Sequence, residues 1–311
     1  METGEERSSE KEVEACMISF KSFVKPQAWL ALAVVVVGGT AMMGSAAAKP
    51  NHKCNGRAVT IVGTAKADVI QGTPGPDVIS GLGGNDRIFG RGGRDLVCGE
   101  AGRDRIFGGT GRDLLLGGTL QDAISGGAGA DQLLGGRDHD VLIGSWGRDR
   151  INGNRGRDSL YGGPGADKLF GGRKHDKLWG GSGNDILDGS RGSDRLNGGL
   201  GGADVASFAG TSAATINLTA KTGHNAYGTD VLKGIEGAIG SRAADVIIGS
   251  PRANMLEGRL GADVISGKRG NDVLAGDRGN DALNGGSGTD TIDGGPGHDA
   301  CTNGENVTSC P

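Results

Sequence analysis

Counting forward from Asp68, an aspartate falls on every ninth residue without a miss, through Asp77, Asp86, Asp95, Asp104, Asp113, Asp122, Asp131, Asp140, Asp149, Asp158, Asp167, Asp176 and Asp185 to Asp194. No helix or ordinary strand has a nine-residue period, so the regularity belongs to a turn-and-strand unit repeated along a stack. Each of these fifteen units also has Gly five residues before the aspartate, from Gly63 to Gly189, and an aliphatic residue two after it, from Ile70 to Leu196. Glycine serves turn positions where φ is positive or backbones approach closely. The aliphatic side chain then points inward and forms the core.

Composition agrees with a thin periodic core. With 64 Gly and only 4% aromatic residues, the chain is too poor in large apolar side chains for an ordinary globular interior of 311 residues. Collagen is excluded because glycine does not recur every third residue, and the aliphatic position kept in every unit argues against simple disorder.

The units at 108–116 (GGTGRDLLL), 126–134 (GGAGADQLL) and 180–188 (GGSGNDILD) resemble the calcium-binding nonapeptide of the RTX, or hemolysin-type, family. The resemblance covers Gly63 to about Asp299. It implies an all-β fold, a right-handed parallel β-roll with two units per coil, a structural period of eighteen and coils about 4.8 Å apart. It also implies Ca²⁺ between turns eighteen residues apart, held by aspartates from both turns and by carbonyls of the glycine-rich loops. An all-oxygen donor set suits calcium better than a softer metal. Without the ion, stacked carboxylates repel, so folding is expected to depend on calcium.

By this resemblance the metal ligands are Asp77, Asp86, Asp95, Asp104, Asp113, Asp131, Asp149, Asp158, Asp167, Asp185, Asp194, Asp263, Asp272, Asp281 and Asp290. The turns of Asp68, Asp122, Asp140 and Asp176 are set apart, because their fourth position is Lys66, Leu120, Asp138 or Lys174 where the other eleven units have Gly. All four lie on one edge of the expected roll, so that edge is expected to bind calcium less well.

Along the chain, residues 1–48 read as an export signal. Lys21 and Lys25 precede the apolar run 29–37, and Ala46-Ala47-Ala48 offers a cleavage pattern. The competing reading is an uncleaved anchor, since no charge occurs from Pro26 to Ala48. Residues 49–62 form an N-terminal cap, 63–204 a first repeat array, 205–244 a non-repeat β insert, 245–300 a second array passing through Asn254 where aspartate is expected, and 301–311 a C-terminal disulfide cap. After the signal, four cysteines remain and allow three pairings. Position favours Cys54 with Cys98 and Cys301 with Cys310, each pair bracketing one end of the repeats.

Removing residues 1–48 leaves 31 acidic and 29 basic side chains, a nearly neutral chain where the family is usually acidic. Much of the compensation is Arg and Lys beside the aspartates, including Arg87, Arg105, Arg150, Arg157, Lys168 and Arg195. They form either a solvated face that offsets carboxylate repulsion or a basic stripe for an anionic polymer. The five histidines lack metal-binding spacing, and no nucleophile elbow, phosphate loop or HExxH motif occurs. The function expected is therefore that of a secreted, extracellular bacterial calcium-binding protein, not an enzyme, with a structural or adhesive role. The alternative is a stabilising or recognition component of an exported enzyme or toxin system whose catalytic part is on another chain. Partners are calcium and cell-surface or matrix polymers; neither nucleic acid nor membrane insertion after signal cleavage is expected.

Overall fold

The computed structural model describes residues 52–310. The export segment, residues 1–48, lies outside the described residues. Among the described residues no helix forms, and none is long and apolar enough to cross a membrane. Two long sheets, of 14 and 15 strands, face each other across a narrow core. Successive strands alternate between the sheets, so each strand pairs in parallel with the one eighteen residues away: Ile106 with Ile124, and Ile124 with Leu142. This is the parallel β-roll expected from the repeat.

The core is the aliphatic column. Ile70, Ile79, Ile88, Val97, Ile106 and their equivalents through Leu187 have no solvent exposure, and together they form one continuous cluster from Ile61 to Ile292. One buried Leu or Ile per nine residues is a small apolar content for each coil. Burial of one such side chain stabilises by roughly 1.5–3 kcal/mol, so backbone ladders and turn chemistry carry an unusual share of the fold.

The strands run past the end of each nine-residue unit. Arg105–Thr110 and Ala123–Ala128 each run six residues, through the first glycine of the next unit and beyond it. Pairing skips that glycine: Phe107 pairs with Ser125 and Gly109 with Gly127, while Gly108 and Gly126 fall between. Each strand is thus two short segments joined by a bend, and the bend lets the chain turn the corner of the roll.

Residues 205–244 do not break the stack. Strands Thr215–Asn217, Thr222–Asn225 and Gly228–Lys233 make an antiparallel meander that fills the place of one strand in the larger sheet. Its outer strands pair in parallel with the repeats on either side, at Arg195–Leu200 and Val246–Ile248. Ala206, Ile216, Leu232 and Ala238 carry the core through.

Both ends are pinned. Cys54 is bonded to Cys98 and Cys301 to Cys310, closing separations of 44 and 9 residues. At the N-terminal end, Cys54, Val59, Leu96 and Cys98 form a second small cluster outside the main column. His52 adds a bridge from its Nε2 to Ser80 Oγ and Glu100 Oε1, both at 2.9 Å.

Candidate metal centre

Each repeat aspartate enters from a turn and ends inside it. The backbone N–H of one aspartate donates to Oδ1 of the aspartate in the next coil, at 2.8 Å for Asp113 to Asp131, 2.8 Å for Asp131 to Asp149 and 2.7 Å for Asp149 to Asp167. A ladder of carboxylates therefore runs along each edge of the roll. The second oxygen has a different fate. Among the described residues, Oδ2 of eighteen aspartates is buried without a hydrogen-bond partner.

The glycine five residues earlier keeps this space open. A Cβ on Gly126 would lie 2.5 Å from Asp131 Oδ2 and 2.8 Å from the Gly144 carbonyl oxygen, and the same holds one coil on at Gly144, with Asp149 and Gly162. Any other residue would fill the cradle, which explains why glycine recurs at that position without having positive φ there.

Buried oxygens of this kind are costly to ionise. Burial first, and then the stacked carboxylates of neighbouring coils, push the carboxyl of Asp131 up to about 7 and those of Asp122, Asp140 and Asp194 to about 8, against the partial relief of one backbone hydrogen bond each. A row of unpaired anionic oxygens beside carbonyl oxygens calls for a hard cation. Among the described residues no three His, Cys, Asp or Glu side chains converge on one point. A cation held here would find loop carbonyls beside the carboxylate oxygens, a donor set that fits calcium and not zinc.

Of the fifteen aspartates named from the sequence, fourteen have this unpartnered Oδ2. The exception is Asp77, whose Oδ2 accepts the N–H of Thr73 at 2.6 Å and its hydroxyl at 3.0 Å. Three more turns are closed in the same way. Thr64 caps Asp68, Ser241 caps Asp245, and Ser250 caps Asn254, each through the residue four before the aspartate position. Asn254 even donates its Nδ2 to Ser250 Oγ at 3.1 Å, so this turn holds together with no carboxylate at all. None of the four capping residues has positive φ, whereas the open turns take the left-handed region at the same position even with a side chain, as at Arg91 (φ 81), Ser145 (φ 79) and Asn154 (φ 68).

The turns set apart on one edge share the open geometry of the others, except that of Asp68. Leu120, Asp138 and Lys174 keep the left-handed backbone, at φ 74, 77 and 90. The carboxylates they precede, Asp122, Asp140 and Asp176, are as buried as the rest and equally unpartnered at Oδ2. Lys66 belongs to a capped turn instead. The substituted residues do pay in conformation: glycines at this position run to φ 158 at Gly156, and at Gly129, with φ 146, a Cβ would come within 1.5 Å of the Gly111 carbonyl oxygen. Side chains fit only by retreating toward smaller φ. Asp299 also shares the open geometry, although the ligand set expected from the sequence left it out. Its signal, Gly294 five residues earlier, was present in the sequence.

The family whose model matches this chain is described as the RTX calcium-binding nonapeptide repeat. It matches at residues 62–97, 99–122, 121–142, 143–178, 170–203, 239–274 and 267–301. The matches skip the meander and resume with the turn of Asp245. No curated protein matches the chain.

Proposed function

Because the chain belongs to the RTX calcium-binding nonapeptide repeat family, we propose that it is a secreted calcium-binding roll whose folding is coupled to the ion and whose work outside the cell is structural or adhesive. The observation that carries this reading is the set of eighteen buried aspartate oxygens without partners. Calcium, when bound, supplies the positive charge that a stack of buried carboxylates lacks. The chain's own part is to hold Oδ2 and the loop carbonyls in place and to keep side chains out of the cradle with glycine. Residues 1–48, read as an export signal, and the two disulfides both suit an oxidising exterior.

Extracellular modules have dissociation constants of ~10⁻⁴ to 10⁻³ M. At about millimolar calcium a site of ~10⁻⁴ M contributes about 1.4 kcal/mol. Ten such sites would together match the whole net stability of a typical domain, about 5–15 kcal/mol. Folding coupled to calcium follows from that magnitude.

The test is far-UV circular dichroism of the chain titrated with Ca²⁺ and, separately, with Mg²⁺, with bound ions counted by calorimetry. A change from disorder to β structure with calcium, and much less with magnesium, is expected. A β spectrum that persists in excess chelator would overturn the proposal.

A further inference from the structure

Arg137, Arg155, Arg173 and Arg191 occupy one repeat position in four successive coils. The parallel register sets them side by side: Arg137 opposite Arg155, Arg155 opposite Arg173, and Arg173 opposite Arg191. All four are exposed, and neighbouring strands are about 4.8 Å apart. Among the described residues none of them is ion-paired, although Arg191 lies over the Tyr227 ring at 4.6 Å. Like charges set directly opposite each other are destabilising. The equivalent positions of the other sheet, Thr110, Ala128, Trp146, Pro164 and Ser182, carry no charge.

More cations surround the row. Arg150 and Lys168 are paired in register on the same sheet, with the Arg150 guanidinium 4.4 Å from the Phe170 ring centre. Arg157 and Lys174 stand exposed on the adjoining turns. Two carboxylates lie nearby. Asp138 accepts the Leu120 N–H, and Asp188 is half-buried and accepts the Ser190 hydroxyl. Beside the row runs a groove of about 360 Å³ whose lining includes Asn152, Asn154, Phe170, Ser190, Arg173 and Arg191. Amide and hydroxyl groups there suit a hydroxyl-rich ligand.

We propose that this face is a docking strip for an acidic polysaccharide lying along the roll axis, with its acid groups on the arginine row and its hydroxyls toward the groove. A polyuronate has one carboxylate per sugar residue, a regular series of single charges that a row of one guanidinium per coil can follow. Duplex DNA instead winds its phosphates around a helix, with about 3.4 Å of axial rise per phosphate of each strand, so a strand curves away from a straight row. The inference names the partner class for the adhesive side of the function proposed above. It rests on the folded roll, which is read independently.

The experiment uses the full chain in saturating calcium, with circular dichroism confirming the roll in every sample. Binding is measured to a short oligogalacturonate, too short to gel with calcium, to neutral dextran, and to single-stranded DNA. Oligogalacturonate should bind and dextran should not. The double variant Arg155→Gln/Arg173→Gln should lose tenfold or more in affinity, and its salt dependence should become shallower by roughly one unit of log–log slope per arginine removed. Lys177→Gln/Arg195→Gln, a register pair of cations on the opposite sheet, should change affinity by less than twofold. Absence of oligogalacturonate binding by a chain with an intact β spectrum would overturn the proposal, as would equal losses from the two double variants. Tighter binding of the DNA would assign the face to nucleic acid instead. A chain that fails to form the roll in calcium would count against the folding proposal, and the circular dichroism distinguishes that case.

Discussion

The first turns of each array and the turns stacked behind them use the same aspartate for opposite ends. At Asp68, Asp77, Asp245 and Asn254, a Thr or Ser four residues earlier folds back and satisfies the inner oxygen with its N–H; the Thr hydroxyls of the first two add to the same oxygen, and the Ser241 hydroxyl donates to Oδ1 of Asp245. In the open turns the same backbone position has positive φ, its N–H turns away, and Oδ2 is left bare. The first kind is complete as protein; the second leaves an acceptor oxygen open, the place we propose for a cation. The capped turns stand where a coil has no repeat turn beneath it, at the start of the roll and just after the meander. We infer that each array begins on turns that close without calcium and continues on turns that do not.

The strongest way to break this comparison is to neutralise one carboxylate of each kind. Asp131→Asn should lower the number of calcium ions bound per chain and raise the calcium concentration needed for folding, at a cost of about 1.4 kcal/mol per lost site in millimolar calcium. Asp77→Asn should leave the ion count unchanged, as Asn254 already does without a charge in the equivalent capped turn. Calorimetric counting decides it, and equal losses from the two variants would erase the distinction.

A second prediction sharpens the comparison through pH. Burial raises the carboxyls of open turns well above their ordinary value, to about 7 at Asp158, Asp167 and Asp176 and about 8 at Asp140. A carboxyl raised on folding favours the fold while protonated, below its unfolded value, and that contribution is lost as pH rises through its folded value. The calcium-free roll should therefore be more stable at pH 5 than at pH 8, with the loss spread between about pH 4 and 8. Calcium needs the ionised form, so the calcium midpoint should rise as pH falls across the same window. Chelator titrations followed by circular dichroism at the two pH values test both signs; a calcium-free chain more ordered at pH 8 would contradict the burial of these groups.

The smallest effect concerns the backbone that open turns require. Leu120 holds φ 74 with a side chain, a conformation that costs an ordinary residue about 1–2 kcal/mol. Leu120→Gly should therefore stabilise the calcium-loaded roll by about 1 kcal/mol, read as a higher urea midpoint at unchanged slope. Gly129→Ala, whose Cβ would meet the Gly111 carbonyl oxygen at 1.5 Å, should move the midpoint the other way. A neutral Leu120→Gly would mean that the turn tolerates its side chain without strain.

Much of the roll is legible along the chain because a solenoid converts sequence period directly into spatial register. Nine-residue spacing of Asp86, Asp95 and Asp104 with an aliphatic residue two positions on is enough to place Ile88, Val97 and Ile106 in one buried column. The glycine five residues before each aspartate is legible for the same reason, since only a missing side chain can leave room for a carboxylate oxygen and a carbonyl together. The meander was legible as a β insert where the period is lost. That its strands fill one slot of the stack depends on pairing with Arg195–Leu200 on one side and Val246–Ile248 on the other, contacts that local sequence does not encode.

The turns show where sequence ends and tertiary structure begins. Ser145 and Ser190 occupy the same repeat position as Ser241 and Ser250, yet the first two take φ 79 and 67 and leave Asp149 and Asp194 bare, while the second two cap their own aspartate position. By itself the sequence determined the period, the core column, the glycine cradle and the carboxylate ladders, because each is a property of one unit repeated. Whether a given aspartate is satisfied by protein or left for a cation was decided by what lies beneath its turn. Over a stacked repeat, pairing with the preceding coil holds the second turn position in the left-handed region, as where Ser145 pairs with Gly127. With no repeat turn below, the same residue is free to fold back onto its own carboxylate or amide.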